Sequence, residues 1–578
     1  MTSKQYQTLL RTTAVALVLG SVFINVKNIF TSCQADAEYQ VTMAYRILRG
    51  DKMFSRMWEA HQTSAFFLVF FEWIFLKITG STTGIMIYAN TVGVLCKIIT
   101  AFFVYGTLRK ITDQKIAFAA LIFTLNAYPK DIVLPDFANL QIWFGLLLMG
   151  CLIWYFERQQ KKWLVFGAVC LCLQVLAYPS CALLWILCMA LIGLYSHQKV
   201  RDMCIFTGVC VIGGISYLVY FMRGDPGQFL QYVYYIWSGD ESHAIGLGEK
   251  IAGYGYYLHL MALDMKYFLI VAVCAVLAVW ICRKISENKS DLWTGRKRFY
   301  IFFSFFLLFY IIGYLGHLPA EQASSKYNFF TLYVFVELTA WAGTKYLTSS
   351  EKRAFIVGQL VGLGGFAATL LLSDSGLFCT FPYLIPAICV GMLPLGKLNE
   401  EKAAGKADWK SFIPAALLCV LMMFRNFIYL NGWLIMPMNF YEDSIIGVRG
   451  MAKYGPLKGI ISTGGTSAAD GSYLEWQDMI QDGDRVLVLN YDEFTATVYL
   501  YKDVEICVDS TISTPTYSER LLKYWEENPD KCPNVIVMKN YEDPTDRDGY
   551  SIVFNWIEKK YPEIRVDYGT YWRYYYLD

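Results

Sequence analysis

Charge is scarce in this chain of 578 residues: Asp, Glu, Lys and Arg make up 17%, and there are five histidines. No Cys-x-x-Cys spacing occurs, so a common signature of structural zinc is missing. Most of the sixteen cysteines lie singly in apolar runs, among them Cys151, Cys170, Cys172, Cys181, Cys188, Cys204 and Cys210, where small thiols are ordinary packing residues. What is present is 56% hydrophobic and 17% aromatic residues, with a mean hydropathy of +0.36. That composition excludes a string of soluble domains and reads as a polytopic membrane protein in the lipid bilayer.

The net charge of +2 conceals a division. From residue 436 on there are 14 Lys and Arg against 24 Asp and Glu, and before it 36 against 24. A basic multi-spanning part, 1–435, therefore carries an acidic tail, 436–578, and such a tail is a poor platform for nucleic acid. Within the tail, Cys507 and Cys532 would be a disulfide if that region is oxidised and the two lie close enough.

Thirteen apolar segments predict transmembrane helices: 12–30, 85–107, 116–130, 139–156, 163–178, 180–195, 203–222, 265–282, 299–316, 329–347, 354–372, 376–396 and 411–431. Six strongly basic links, at 109, 157, 197, 283, 345 and 397–410, belong in the cytoplasm by the positive-inside rule. Thirteen spans with a cytoplasmic N-terminus put all six there and the tail on the extracytoplasmic side of a plasma membrane. The segment "SAFFLVFFEWIFLKIT" at 64–79 would break that parity if it crossed, so it is expected to be a hairpin or interfacial helix on the outer side. "ADA" at 35–37 resembles a signal cleavage site and "FTSC" a lipoprotein box, but the first run exceeds a signal core and carries Asn25, Lys27 and Asn28; it reads as a retained anchor.

The outer loop 31–63 opens "TSCQADAEYQVTMAYRILRGD". Val41, Ala44, Tyr45 and Leu48 recur at helical spacing, with Thr42, Arg46 and Arg49 on other faces, which predicts an amphipathic helix on the membrane surface. Arg46, Arg49, Lys52, Arg56 and His61 then place positive charge where it is normally avoided, as an anion site would require. Asp36 and Glu38 would point about 200° apart in a helix and share a face only in an extended turn. Either a carboxylate here acts as general base toward a hydroxyl while cations stabilise a phosphate leaving group, or the acids cap a helix and the arginines hold lipid head groups.

A first span, an acidic D/E motif, then "A-x-R-I-L-R-G-D", an apolar membrane-edge segment and a second acidic outer loop together resemble the GT-C superfamily of polyprenyl-phosphate-dependent glycosyltransferases. Protein O-mannosyltransferases and aminoarabinose transferases belong to it. The resemblance covers the layout of roughly the first 200 residues and the topology to about 431. It implies that Asp36 is the catalytic base. Here the family's adjacent Asp-Glu pair is split as Asp36-Ala37-Glu38, which leaves the base open between the two, and "EAHQTSAFF" stands where many relatives have Pro-Pro. His61 and Gln62 then fall near the implied donor site.

In the second outer loop, "NAYPKDIVLPDFANLQIW", Asp131 and Asp136 are implied by the resemblance to be a supporting acidic site, to orient the acceptor or hold a divalent metal; alternatively they cap the following helix. The loop 224–262 is rich in Tyr and Gly, suited to stacking on sugars or to an interfacial aromatic belt. "GHLPAEQASSKYNFF" places His317 and Lys326 outside, where relatives often hold a cation for the lipid phosphate. Lys97 and Glu337 fall within spans, as functional charges or as a mutual ion pair. The tail alternates β-rich runs at 485, 504, 534 and 563 with helical stretches, which predicts a small α/β domain with a mostly parallel sheet.

The expectation is a GT-C-like hexosyltransferase on the extracytoplasmic face. A polyprenyl-phosphate sugar would set its phosphate among Lys52, Arg56, His61 and Lys326, with Asp131, Asp136 and His317 supporting a glycan, lipid or protein acceptor. Asp36 or Glu38 would take the acceptor proton, inverting the sugar carbon. The alternatives are a transporter or flippase of lipid-linked sugars, whose inverted repeats are not seen here, and a non-catalytic envelope assembly protein.

Overall fold

The computed structural model describes residues 3–31, 35–129, 132–222, 226–238, 247–264, 266–285, 328–372, 379–397, 450–462, 467–489, 496–511, 518–540 and 548–577, with 301, 304–305, 419–420 and 423 between them. Among the described residues, twelve α-helices come first: α1 (Ser3–Thr31), α2 (Ala35–Arg49), α3 (Gln62–Thr79), α4 (Ile85–Leu108), α5 (Gln114–Asn126), α6 (Phe137–Arg158), α7 (Lys161–Ala177), α8 (Leu184–Tyr195), α9 (Lys199–Met222), α10 (Pro226–Ser238), α11 (Leu247–Asp264) and α12 (Lys266–Ile285). Helices Asn328–Ala340, Ser349–Leu372 and Ile385–Lys397 follow. Local chemistry sets their ends. Asp113 accepts from the Lys115 N–H at 2.7 Å to start α5, and Asp136 from the Asn139 N–H at 2.8 Å to start α6. Gly80, at φ 67°, closes α3 with its N–H on the Leu76 carbonyl.

Among the described residues, six helices are long and apolar enough to cross a membrane, and five shorter ones are apolar. Eleven of the thirteen expected spans coincide with helices; 299–316 and 411–431 lie largely outside the described residues. The Tyr-rich stretch 224–262 is in good part helical, forming α10 and most of α11.

Polar contacts sort the ends of the bundle. Glu351 takes the Thr112 hydroxyl at 2.9 Å and Lys397 Nζ at 3.2 Å. Glu157 takes Arg353 at 2.6 Å and the Ser350 hydroxyl at 2.8 Å, and the His197 N–H donates to Gln159 at 3.2 Å. Five of the six basic links thus gather at one end. The start of α4 lies at the other, about 36 Å away at 1.5 Å per residue. There the Gly84 N–H donates to the Gly455 carbonyl at 3.0 Å.

α3 belongs to that second end throughout. Glu59, just before it, accepts from the Ser510 hydroxyl at 3.0 Å, while Thr82, just after it, donates to the Leu500 carbonyl at 2.6 Å. A helix of 18 residues held by the C-terminal region at both ends does not run to the basic-link end. Instead of a hairpin it is one continuous helix, with Phe66, Phe70 and Trp73 on its exposed side.

The C-terminal region holds a two-stranded hairpin, β1 (Gly450–Met451) with β2 (Ile461–Ser462), and a five-stranded sheet. In the sheet, β3 (Arg485–Leu489), β4 (Glu505–Ile506), β5 (Val535–Lys539), β6 (Ile564–Tyr568) and β7 (Trp572–Leu577) stand in the order β4-β3-β5-β7-β6. Only the β4-β3 and β3-β5 pairs are parallel; β7 runs antiparallel to both its neighbours, so the sheet is mixed rather than mostly parallel. The difference comes from "YWRYYYL", which follows β6 after a turn too short for a crossover helix and so must return as a hairpin. Cys507 and Cys532 are buried free thiols rather than a disulfide; Lys560 Nζ contacts Cys532 Sγ at 3.0 Å.

α2 departs from its expected surface position. Every residue from Ala37 to Arg46 is buried, because α3 covers one side of the helix and the C-terminal region the other. The Thr42 hydroxyl donates to the Ala496 carbonyl at 2.9 Å. Arg46, with no exposed surface, bonds Asp51 at 2.9 Å and Glu59 at 2.8 Å, and reaches the Val508 carbonyl at 3.0 Å. Lys531 extends the network by pairing with Asp51 and Glu505. Burial alone would lower the Arg46 pKa, but Asp51, Tyr524 and Glu59 carry it above its ordinary value. Burial holds the Glu59 carboxyl above the usual range, against the pull of Arg46 and the Ser510 and Thr511 hydrogen bonds.

Two outcomes follow. Replacing Arg46 by Met leaves Glu59 buried without its cation, so Arg46→Met should cost about 3–5 kcal/mol. Adding Glu59→Gln should return part of that loss; thermal unfolding in nanodiscs and protease release of the C-terminal region measure both. At Gly93, a Cβ would run into the Val133 carbonyl. Gly93→Ala should therefore destabilise by about 1–3 kcal/mol in the same assay, the usual cost of overpacking.

Candidate functional site

α2 organises the expected site residues and also divides them. Its first turn carries Asp36 and Glu38, which in a helix face different ways. Glu38 is buried and accepts from the Thr497 hydroxyl at 3.0 Å and the Thr497 N–H at 3.5 Å, so it ties α2 to the C-terminal region. Asp36 is half-buried. One turn on, Gln40 donates to the Pro135 carbonyl at 3.3 Å and accepts from the Ser64 hydroxyl at 3.0 Å. Through that amide the second loop and the start of α3 meet α2.

His61 and Asp136 arrive at this same end. The His61 ring stacks on Phe137, with centroids 3.9 Å apart and planes 10° apart, and Tyr178 lies beyond at 5.4 Å. Asp136, fully buried, caps α6. Tyr178 also faces Tyr383, at 6.2 Å, so aromatic rings from three parts of the chain line this corner. His61, Phe137, Tyr178 and Tyr383 thus form an aromatic corner beside Pro135 and Ser64, the two residues that meet Gln40 one turn after the half-buried Asp36.

Lys52 and Arg56 sit at the far end of α2. Asp36 and Arg46 are ten residues apart, about 15 Å of helix, and the chain beyond α2 folds around Arg46, whose guanidinium donates to the Arg56 carbonyl at 2.8 Å. A phosphate between Lys52 and Arg56 lies much farther from Asp36 than the single bond joining a glycosyl phosphate to its reacting carbon. The anion site expected from the loop's four cations is largely filled by carboxylates. Arg46 serves Asp51 and Glu59, Arg49 pairs with Asp503, and Arg56 pairs with Asp530 at 2.6 Å. Lys52 is exposed and forms no ion pair among the described residues.

Asp131, His317 and Lys326 lie outside the described residues. Among those described, no group of three or more His, Cys, Asp or Glu side chains is placed to hold a metal ion. Lys97 and Glu337 do not pair: Lys97 Nζ lies over the Tyr128 ring at 2.7 Å, and Glu337 accepts from Gln359 at 2.6 Å. Sequence reasoning missed Gln40 and Thr497. Gln40 had a signal, standing one helical turn from Asp36. Thr497, 459 positions from its partner Glu38, had none.

No protein-family model matches the chain, and no curated protein matches it. Among solved structures, its path is similar to that of the oligosaccharyltransferase AglB of Archaeoglobus fulgidus. The form in complex with an inhibitory peptide and a dolichol-phosphate is 10% identical at a TM-score of 0.42, over 93% of this chain and 70% of that one. The apo form gives 11% and 0.44 over 91% and 69%. The form tethered to an acceptor peptide gives 11% and 0.43 over 98% and 74%; at these values the likeness is loose and assigns nothing to this chain.

Proposed function

We propose that this membrane protein is a GT-C-type glycosyltransferase, moving a sugar from a polyprenyl-phosphate donor to an acceptor hydroxyl on the extracytoplasmic face. The observation that carries the reading is the junction at the start of α2. There the half-buried Asp36 shares the first two turns of α2 with Glu38 and Gln40, whose side chains meet the C-terminal region, the second loop and the start of α3. The "A-x-R-I-L-R-G-D" layout supports the family, and five basic links at the opposite end support a cytoplasmic face there.

In this reading Asp36 is the general base. It takes the acceptor proton as the oxygen attacks the sugar carbon from the face opposite the leaving phosphate, which inverts that carbon. Glu38 is a positioning residue, since it is buried, where Asp36 is only half-buried, and ties α2 to the C-terminal region through Thr497. His61, Phe137 and Tyr178 wall the sugar side in this reading; of the cations expected at the phosphate, Lys326 is kept because Arg56 pairs with Asp530 and Lys52 lies beyond the far end of α2, and His317 stays on the acceptor side. The C-terminal region, whose described part packs on α2 through Ala496 and Thr497, contributes to acceptor recognition.

The test is transfer from a radiolabelled polyprenyl-phosphate hexose by purified protein in lipid. Asp36→Asn should lower turnover by roughly 10²–10⁴-fold with unchanged thermal unfolding. Glu38→Gln, which keeps an acceptor for Thr497, should stay within about tenfold of wild type. Normal turnover in Asp36→Asn would remove the base, and equal loss in both variants would show that the two carboxylates act together.

A further inference from the structure

A cavity of about 410 Å³ lies at the far end of α2, away from the proposed reaction centre. Its walls are the turn 50–55, the last three residues of α9 and the first turn of α10. We infer that it binds the phosphate headgroup of a membrane lipid, with Lys52 as its cation.

Lys52 lines the cavity and is exposed. Arg46, Arg49 and Arg56 are each committed to a carboxylate, so Lys52 is the basic residue of this loop left to meet an outside anion. Gln228 and Phe229, from the opening turn of the 13-residue α10, form another wall, and a helix start presents N–H groups and the positive end of the dipole. The Gln228 amide donates to the Tyr232 hydroxyl at 2.9 Å, which holds both polar groups on the lining.

The floor is rigid. Phe54 sits at φ 67°, a left-handed backbone unusual for a bulky residue, with its N–H on Gln62 Oε1 at 2.7 Å. Its ring wedges between Phe221 and Phe229, at 5.1 and 5.0 Å, edge to face in both cases.

Position selects a lipid. The cavity opens where α9 ends, and α9 presents Val211, Ile212, Ile215, Leu218 and Val219 as an exposed apolar stripe leading up to it. A helix of 24 residues with that stripe faces acyl chains, so its last turn stands at headgroup level. A phosphate at the cavity would therefore carry its hydrocarbon down the α9 face. About 15 Å of α2 keeps this phosphate from being the one that leaves during the proposed transfer.

The experiment is lipid retention by the full chain, purified and scored by native mass spectrometry against phosphatidylglycerol, polyprenyl phosphate and inorganic phosphate in separate arms. Lys52→Gln should lower retention about fivefold, the effect of one lysine near an anionic lipid surface, and Gln228→Ala should lower it in the same direction. Arg56→Gln should leave it unchanged, as should Asp36→Asn, which separates this site from the transfer reaction. Retention of phosphatidylglycerol that falls in Lys52→Gln identifies the site, whereas retention of polyprenyl phosphate alone, which the proposed transfer site accounts for, overturns it. Equal retention by wild type and both cavity variants, or inorganic phosphate held as well as either lipid, overturns the proposal.

Discussion

A fully buried guanidinium between two carboxylates is costly to desolvate, and Arg46 is tolerable only while Asp51 and Glu59 both face it. Those two acids come from the turn after α2 and the approach to α3, as does the Arg56 carbonyl, while the Val508 carbonyl and the Ser510 and Thr511 donors on Glu59 come from the C-terminal region. Satisfying one arginine therefore requires three separate parts of the chain to be in place together. The requirement fixes the height and rotation of α2, and with them the direction of Asp36 ten residues away.

α2 then works as a strut. It is buried from Ala37 to Arg46, so it cannot tilt without opening the contacts of Thr42, Arg46 and Glu38 with the C-terminal region. Its dipole is matched at both ends, with Asp36 and Glu38 in the first turn and Arg46 and Arg49 in the last. Such a strut would keep the proposed chemistry at its start apart from the proposed lipid contact at its finish.

Much of the bundle was legible because hydrophobic length and basic links are strong signals, and contacts such as Thr112 with Glu351 and Arg353 with Glu157 tie those links together. The cap role of Asp136 was legible from a turn residue before an apolar run. The surface helix was not. Periodicity correctly separates Val41, Ala44 and Tyr45 from Thr42 and Arg46, but it cannot say whether the polar face meets water or a distant part of the same chain. The mixed sheet was missed for a similar reason, since an aromatic run such as "WRYYYL" marks a strand without declaring its direction.

The cations of the 31–63 loop show how the two kinds of information combine. Read alone, four basic residues on the disfavoured side of a membrane ask for an external anion. The composition already held another answer, for the tail has 24 acidic residues against 14 basic ones while the rest of the chain is in excess the other way. Asp503 on Arg49 and Asp530 on Arg56 show where that imbalance meets. Charge that would have marked a ligand site instead holds one chain together, and only the cation left over from that matching retains the original meaning. Lys52, beside a cavity at the end of a lipid-facing helix, is that remainder.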